Sequence, residues 1–310
     1  MSRRSALTEP STATVQGCHF QGSTMLLDYW ALTKPEVNFL ILITTFVGFY
    51  LASANDGRFS FAGLFNTLLG TLLIASGTGA LNQYIEREFD ARMRRTARRP
   101  AASGRLNPSA VLAFGIALAG SGSVYLAVAV NPLASALAIL TLLTYLFVYT
   151  PLKRETPLCV LVGAFPGAMP PLIGWAAASG RFNAEAGILY AMLFLWQFPH
   201  FMAIAWMYRE DYDRAAYRVL PKGNAKVALV ALQTLLPLFA LVAISIMQSP
   251  TRHALTFYCV AVLLGTGFMY IGWKFTFERS NVAARRLLMA SVVYLPLSYG
   301  LSAALCNWVR

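Results

Sequence analysis

Stretches almost free of charge alternate with short charged segments along the chain. Nine of them run roughly from Val37 to Ala54, Phe61 to Leu81, Val111 to Val130, Leu133 to Thr150, Leu158 to Ser179, Ala186 to Trp206, Val227 to Met247, Ala254 to Trp273 and Leu287 to Trp308. Each holds 18 to 22 residues, and a helix rising about 1.5 Å per residue needs about 20 to cross a hydrocarbon layer roughly 30 Å thick. Strands of a membrane barrel would be about 10 residues of alternating polarity, which no stretch shows. The pattern predicts an all-α polytopic membrane protein with nine transmembrane helices.

Composition agrees. The 310 residues are 57% hydrophobic and 12% charged, with a mean hydropathy of +0.56, where a soluble domain has about a quarter of its residues charged. A disordered chain, a disulfide scaffold and a secreted enzyme are excluded. Cys18, Cys159, Cys259 and Cys306 show no metal-ligand spacing and read as packing residues.

Charge then sets orientation. With the amino terminus inside, 21 of the 25 Lys and Arg fall in inside segments and only Arg58, Arg181, Arg252 and Arg310 fall outside. The net charge of +12 is thus mostly a topology signal, and basic residues scattered over membrane-flanking loops argue against a nucleic-acid partner. Residues 1 to about 25 carry no apolar run, so they predict neither a cleaved signal peptide nor a span; 1–28 are read as a disordered cytoplasmic tail, leaving 29–310 as the membrane domain.

The acids break the pattern. Six of the 13 Asp and Glu sit in two inside loops, as Glu86, Glu88 and Asp90 after the second span and Glu210, Asp211 and Asp213 after the sixth. Their equivalent places hint at an internal duplication. On a continuing helix Asn82, Glu86 and Asp90 lie within about 80° of one another, an amide and two carboxylates in one stripe. Stacked carboxylates want a positive guest, and Mg2+ suits hard oxygens, held by one or two carboxylates plus substrate phosphates. Alternatively Glu86 and Asp90 form ordinary ion pairs with Arg87, Arg94 or Arg95. Asp211 is the candidate second metal-facing carboxylate, or a member of a solvated loop. Arg92, Arg94, Arg95, Arg98 and Arg99, with Lys153 and Arg154, offer donors for a diphosphate or serve topology alone. His200 is the one histidine inside a span, where it could ligate a metal or porphyrin iron, act as a base, or cap the backbone freed by Pro199. Pro166, Pro170 and Pro171 with Gly163, Gly167 and Gly174 suggest a broken helix in the fifth span.

Set together, these segments resemble a known family. The run Asn82 to Pro100, with Glu86, Asp90, Met93, Arg95, Thr96 and Arg99 in register, is similar to the first signature of the UbiA-type intramembrane prenyltransferases, in its haem-modifying branch. Tyr149-Thr150-Pro151-Leu152-Lys153-Arg154-Glu155-Thr156-Pro157, Trp196 to Phe201, Asp211-Tyr212 through Leu220-Pro221, and Thr33-Lys34-Pro35 match further segments of the family in the expected order. Departures are Glu86, where many members have Asp, Phe198, where the branch has Pro, and Ala215, where quinone-type members carry a second acid.

The resemblance implies nine helices around a central cavity and a bacterial inner-membrane enzyme. Mg2+ would be held by Asn82, Glu86, Asp90 and Asp211, with Lys153 assisting catalysis. Arg95, Arg99, Lys153, Arg154, Tyr149, Tyr212 and His200 would bind substrates. It further implies farnesyl transfer from farnesyl diphosphate to a vinyl group of haem B, giving haem O, with haem A synthase or a second copy as protein partner. A quinone-precursor or chlorophyllide prenyltransferase is the alternative within the family. A transporter would place its polar residues near the bilayer midplane, and a structural subunit of a respiratory complex would not need two acidic motifs.

Overall fold

The computed structural model describes residues 21–220, 225–248, 250 and 253–305. Nine helices among them are long and apolar enough to cross a membrane, and no strand occurs among the described residues. After a short helix α1 (Gln21–Leu32), the spans are α2 (Pro35–Asn55), α3 (Phe61–Asp90), α4 (Pro108–Ala129), α5 (Pro132–Leu152), α6 (Cys159–Ser179) and α7 (Ala184–Met207). A single-turn helix α8 (Arg209–Arg214) precedes α9 (Ala225–Ile246), α10 (Ala254–Glu278) and α11 (Asn281–Leu305).

The helices start where local chemistry permits. Ser60, Asn107, Asn131 and Asn183 each cap a first turn by accepting a backbone N–H, and Pro35, Pro108 and Pro132 open helices where no N–H is needed. Helices α2 to α6 pack as one group and α7, α9, α10 and α11 as another, joined mainly where α7 meets α6. Close crossings rest on small residues: Gly77 lies against Gly115 and Ala119 on α4, and Gly174 of α6 against the Thr45 carbonyl of α2. A Cβ at either glycine would strike backbone, as expected where helices associate in lipid.

The outside of the bundle is apolar and its inside partly polar. Val128 is 82% and Leu263 71% exposed, whereas Asn82 and Asp90 are 1% exposed. That inversion suits a lipid solvent.

Some elements depart from the sequence reading. Of the tail expected over 1–28, residues 1–20 lie outside the described residues, as do Cys18 and Cys306, whereas 21–28 are helical within α1. That helix has tertiary support: Asp28 pairs with Arg105 at 2.9 Å, and the Gln83 amide donates to the carbonyls of Ala31 and Leu32. Helix α3 runs nine residues past Leu81, so the polar stripe is helical. Helix α5 widens into a π-helical stretch at Thr144–Tyr149, whereas α6 breaks at Ala168 amid its prolines, as its Pro and Gly pattern suggested.

Candidate active site

The start of α2 and the ends of α3, α5 and α7 converge on a cluster of buried charges. Asn82, Glu86 and Asp90 follow one another by single turns on α3, and all three are buried. The carboxylate of Glu86 accepts four hydrogen bonds from three donors. Lys153 Nζ lies 2.9 Å from Oε1 and 3.1 Å from Oε2, Tyr217 OH 2.9 Å from Oε1, and Asn82 Nδ2 3.0 Å from Oε2. Asp90 accepts from Arg99 Nη1 at 2.7 Å. The simpler pairing with Arg87, Arg94 or Arg95 does not occur; Arg87 instead meets Glu88.

Lys34 completes the cluster. Its ammonium donates to Asn82 Oδ1 at 2.7 Å, from a backbone held at φ 54° just before Pro35. A lysine in the left-handed region costs roughly 1–2 kcal/mol, a strain tolerated where it aims a side chain at a site. Burial, then the nearby Arg99 charge, push this ammonium down to about 7. Burial also works against the charge of Lys153, but Tyr149 and Glu86 around it outweigh that and hold it well above the ordinary lysine range. Tyr217 is pushed up by burial and then by Glu86, so it stays a proton donor.

The π stretch of α5 positions the second wall. Thr150 Oγ1 donates to Tyr145 O at 2.8 Å and accepts from Asn82 Nδ2 at 3.3 Å. Tyr149 lies under the Lys153 ammonium, 4.6 Å from ring centroid to nitrogen, and Gly163 leaves room for its ring. π-turns of this kind commonly mark functional sites.

The second acidic loop meets the first. Asp211 accepts from the backbone N–H groups of Arg94 at 3.4 Å and Arg95 at 3.3 Å and contacts the Arg214 guanidinium. It is buried, unlike Glu210 and Asp213. A main-chain bond from Arg218 N to Lys153 O, 2.7 Å long, ties the segment after α8 to that after α5.

The remaining predicted residues ring this cluster. Arg154 lies over Phe89 at 4.4 Å and Arg95 over Tyr208 at 5.1 Å, each on an aromatic face rather than a carboxylate. Tyr212 reaches the cluster through Tyr217, ring centroids 6.1 Å apart. His200 is not in the cluster; it bonds Ser291 of α11 from Nδ1 at 2.8 Å.

Three members escaped sequence reasoning. Lys34 counted only as a topology charge and family match, Thr150 only as a motif letter, and Tyr217 had no signal beyond lying between Asp211 and Leu220.

The donors present fit a hard divalent ion. Three carboxylates and an amide oxygen are buried at one end of the bundle, and each carboxylate contacts a side-chain cation. Among the described residues no three His, Cys, Asp or Glu stand close enough to hold an ion alone. Mg2+ asks for less, since it takes one or two carboxylates and completes its shell with water and phosphate oxygens.

Comparison with known proteins places this geometry. The family described as the UbiA prenyltransferase family matches residues 41–294. The chain is 46% identical over 282 residues to the protoheme IX farnesyltransferase of Solibacter usitatus, covering 88% of this chain and 97% of that protein. Its fold is similar to that of a digeranylgeranylglyceryl phosphate synthase, with TM-score 0.72 at 15% identity over 92% of this chain and 99% of that one. It also resembles a UbiA homologue from Archaeoglobus fulgidus bound to GPP and Mg2+, with TM-score 0.59 at 12% identity over 88% of this chain and 99% of that one. The chain, whose described residues form nine membrane-length helices with a buried charged cluster at the end where its first signature lies, therefore belongs to the UbiA prenyltransferase family.

Proposed function

We propose that this chain transfers the farnesyl group of farnesyl diphosphate to a vinyl group of haem B, giving haem O and diphosphate. The observation that carries the reading is the 46% identity, over nearly the whole of both chains, to a protein named for that donor and that porphyrin. The domain responsible is taken as 29–310, in the bacterial inner membrane with the amino terminus and the charged cluster on the cytoplasmic side, as the distribution of Lys and Arg favours.

The cluster suits the departure of an anion. Lys153 and Arg99 bring fixed cations to one buried site beside the Lys34 amine, where charge develops on the leaving diphosphate. Mg2+ on Asn82, Glu86, Asp90 and Asp211 would supply further neutralisation of the diphosphate, and the Archaeoglobus fulgidus homologue bound to GPP and Mg2+ supports a metal-dependent transfer. When the phosphate oxygens arrive, Lys34 and Lys153 exchange an amide and a carboxylate for them. Arg95 and Arg154, lying on aromatic faces, extend the basic rim.

The C–O bond of the donor breaks with its electron pair on diphosphate, leaving an allylic cation. The haem vinyl group attacks that cation, forming the new C–C bond, and water adds to the resulting cation with loss of a proton to give the hydroxyethylfarnesyl side chain. The apolar interior of the bundle keeps water from the first cation. A haem A synthase receiving the product, or a second copy of the chain, is the protein partner this reading calls for.

The test is incubation of membranes holding this chain with haem B, farnesyl diphosphate and Mg2+, followed by mass analysis of the porphyrin. Haem gaining a farnesyl group and one hydroxyl is the expected result. Unchanged haem, with the prenyl group found on a phenolic acceptor supplied alongside, would overturn the reading.

A further inference from the structure

His200 stands seven residues before Met207 on α7, roughly 10 Å along the helix axis from its inside end. Its imidazole does not cap the carbonyl freed by Pro199. It reaches across to α11, where Nδ1 lies 2.8 Å from Ser291 Oγ. The direction of that bond follows from the serine. Ser291 has one hydroxyl hydrogen, and it points to Leu288 O at 2.6 Å, so Ser291 Oγ accepts and His200 Nδ1 carries the proton. The other nitrogen, Nε2, then holds a lone pair, and no side chain among the described residues donates to it.

The ring is also fixed in orientation. Trp196, one turn earlier, stacks on it with centroids 4.6 Å apart and planes 26° apart. The indole is itself pinned by Trp196 Nε1 donating to Ser291 O at 2.7 Å. Ser291, wholly buried, thus holds the imidazole through its hydroxyl and the stacking indole through its carbonyl. A neutral imidazole whose Nδ1–H is engaged and whose Nε2 accepts from no side chain among the described residues has the tautomer that protein ligands of metals use.

We infer that His200 presents Nε2 as an axial ligand to the iron of the porphyrin acceptor, and that Ser291 is the positioning residue that fixes its tautomer and plane. This rests on the haem-acceptor reading above and adds to it the atom that grips the substrate.

The test is titration of the full-length protein in nanodiscs with ferric haem B, read by the Soret band and by electron paramagnetic resonance. Metal-free protoporphyrin IX is titrated in parallel. The wild type should give a histidine-coordinated iron signature; H200G should lose it and regain it with added imidazole. S291A should bind haem about tenfold or more weakly, since losing the partner of a ligating histidine typically costs 10 to 100-fold, and S291T should restore binding. Protoporphyrin IX should bind wild type and both variants alike, and unaltered farnesyl diphosphate binding should show that the variants are folded. An iron signature that is the same in wild type and H200G, while farnesylated haem still forms, would overturn the inference and leave the acceptor reading standing. A wild type that neither binds nor farnesylates haem would overturn both.

Discussion

Lys153 and Glu86 form a two-pronged ion pair across 67 residues of sequence, with Nζ 2.9 Å from Oε1 and 3.1 Å from Oε2 and both side chains largely buried. Breaking such a pair from one side strands a charge away from water, which typically costs 3–5 kcal/mol, whereas replacing both partners costs far less. K153M and E86M should each lower the unfolding midpoint in detergent more than the K153M/E86M double variant does. Additive losses in that cycle would show that the pair carries no coupling.

Asp90 accepts from Arg99 and Asp211 from the backbone N–H groups of Arg94 and Arg95, and both carboxylates are proposed to hold the metal. D90N and D211N keep size and one accepting oxygen but lose the charge. Each should lower farnesyl transfer by 100-fold or more, in line with the loss of a charge-stabilising group, while membrane insertion and the amount of folded protein stay unchanged. Near-normal turnover by both variants would remove these residues from the metal.

A divalent ion bound partly through substrate phosphate should be easy to strip. EDTA should abolish transfer, and Mg2+ added in excess should restore it within the mixing time of the assay. Activity that persists in EDTA after dialysis would contradict the Mg2+ assignment.

Lys34 sits in a strained backbone with its ammonium on Asn82. K34M removes the charge but keeps the length, and it should cut turnover at least tenfold and weaken farnesyl diphosphate binding, with haem binding unchanged. Kinetics with each substrate varied in turn will separate these effects; a loss confined to haem would reassign the residue.

The bundle was legible in the sequence because each span is its own signal: a charge-free run of about 20 residues says helix without reference to any other part of the chain. The continuation of α3 to Asp90 was legible for the same reason, through the four-residue spacing of Asn82, Glu86 and Asp90. The partners of those residues were not. Tyr217 lies 131 residues from Glu86 and Lys34 lies 48 from Asn82, and neither position carries a local pattern that distinguishes it from other tyrosines and lysines at the membrane surface. The π stretch at Thr144–Tyr149 was hidden as well, since a widened turn leaves the apolar run unbroken while shifting Tyr149 and Thr150 around the axis. The helical state of residues 21–28 depends on Asp28 finding Arg105 and on Gln83 reaching the end of α1, contacts that no window on the tail contains.

The main-chain bond between Arg218 N and Lys153 O makes two distant loops mechanically one piece. One of these loops carries the lysine assigned to the leaving anion and the other follows the carboxylate assigned to the metal. A headgroup seated between them would therefore meet one joined rim contributed by both halves of the bundle.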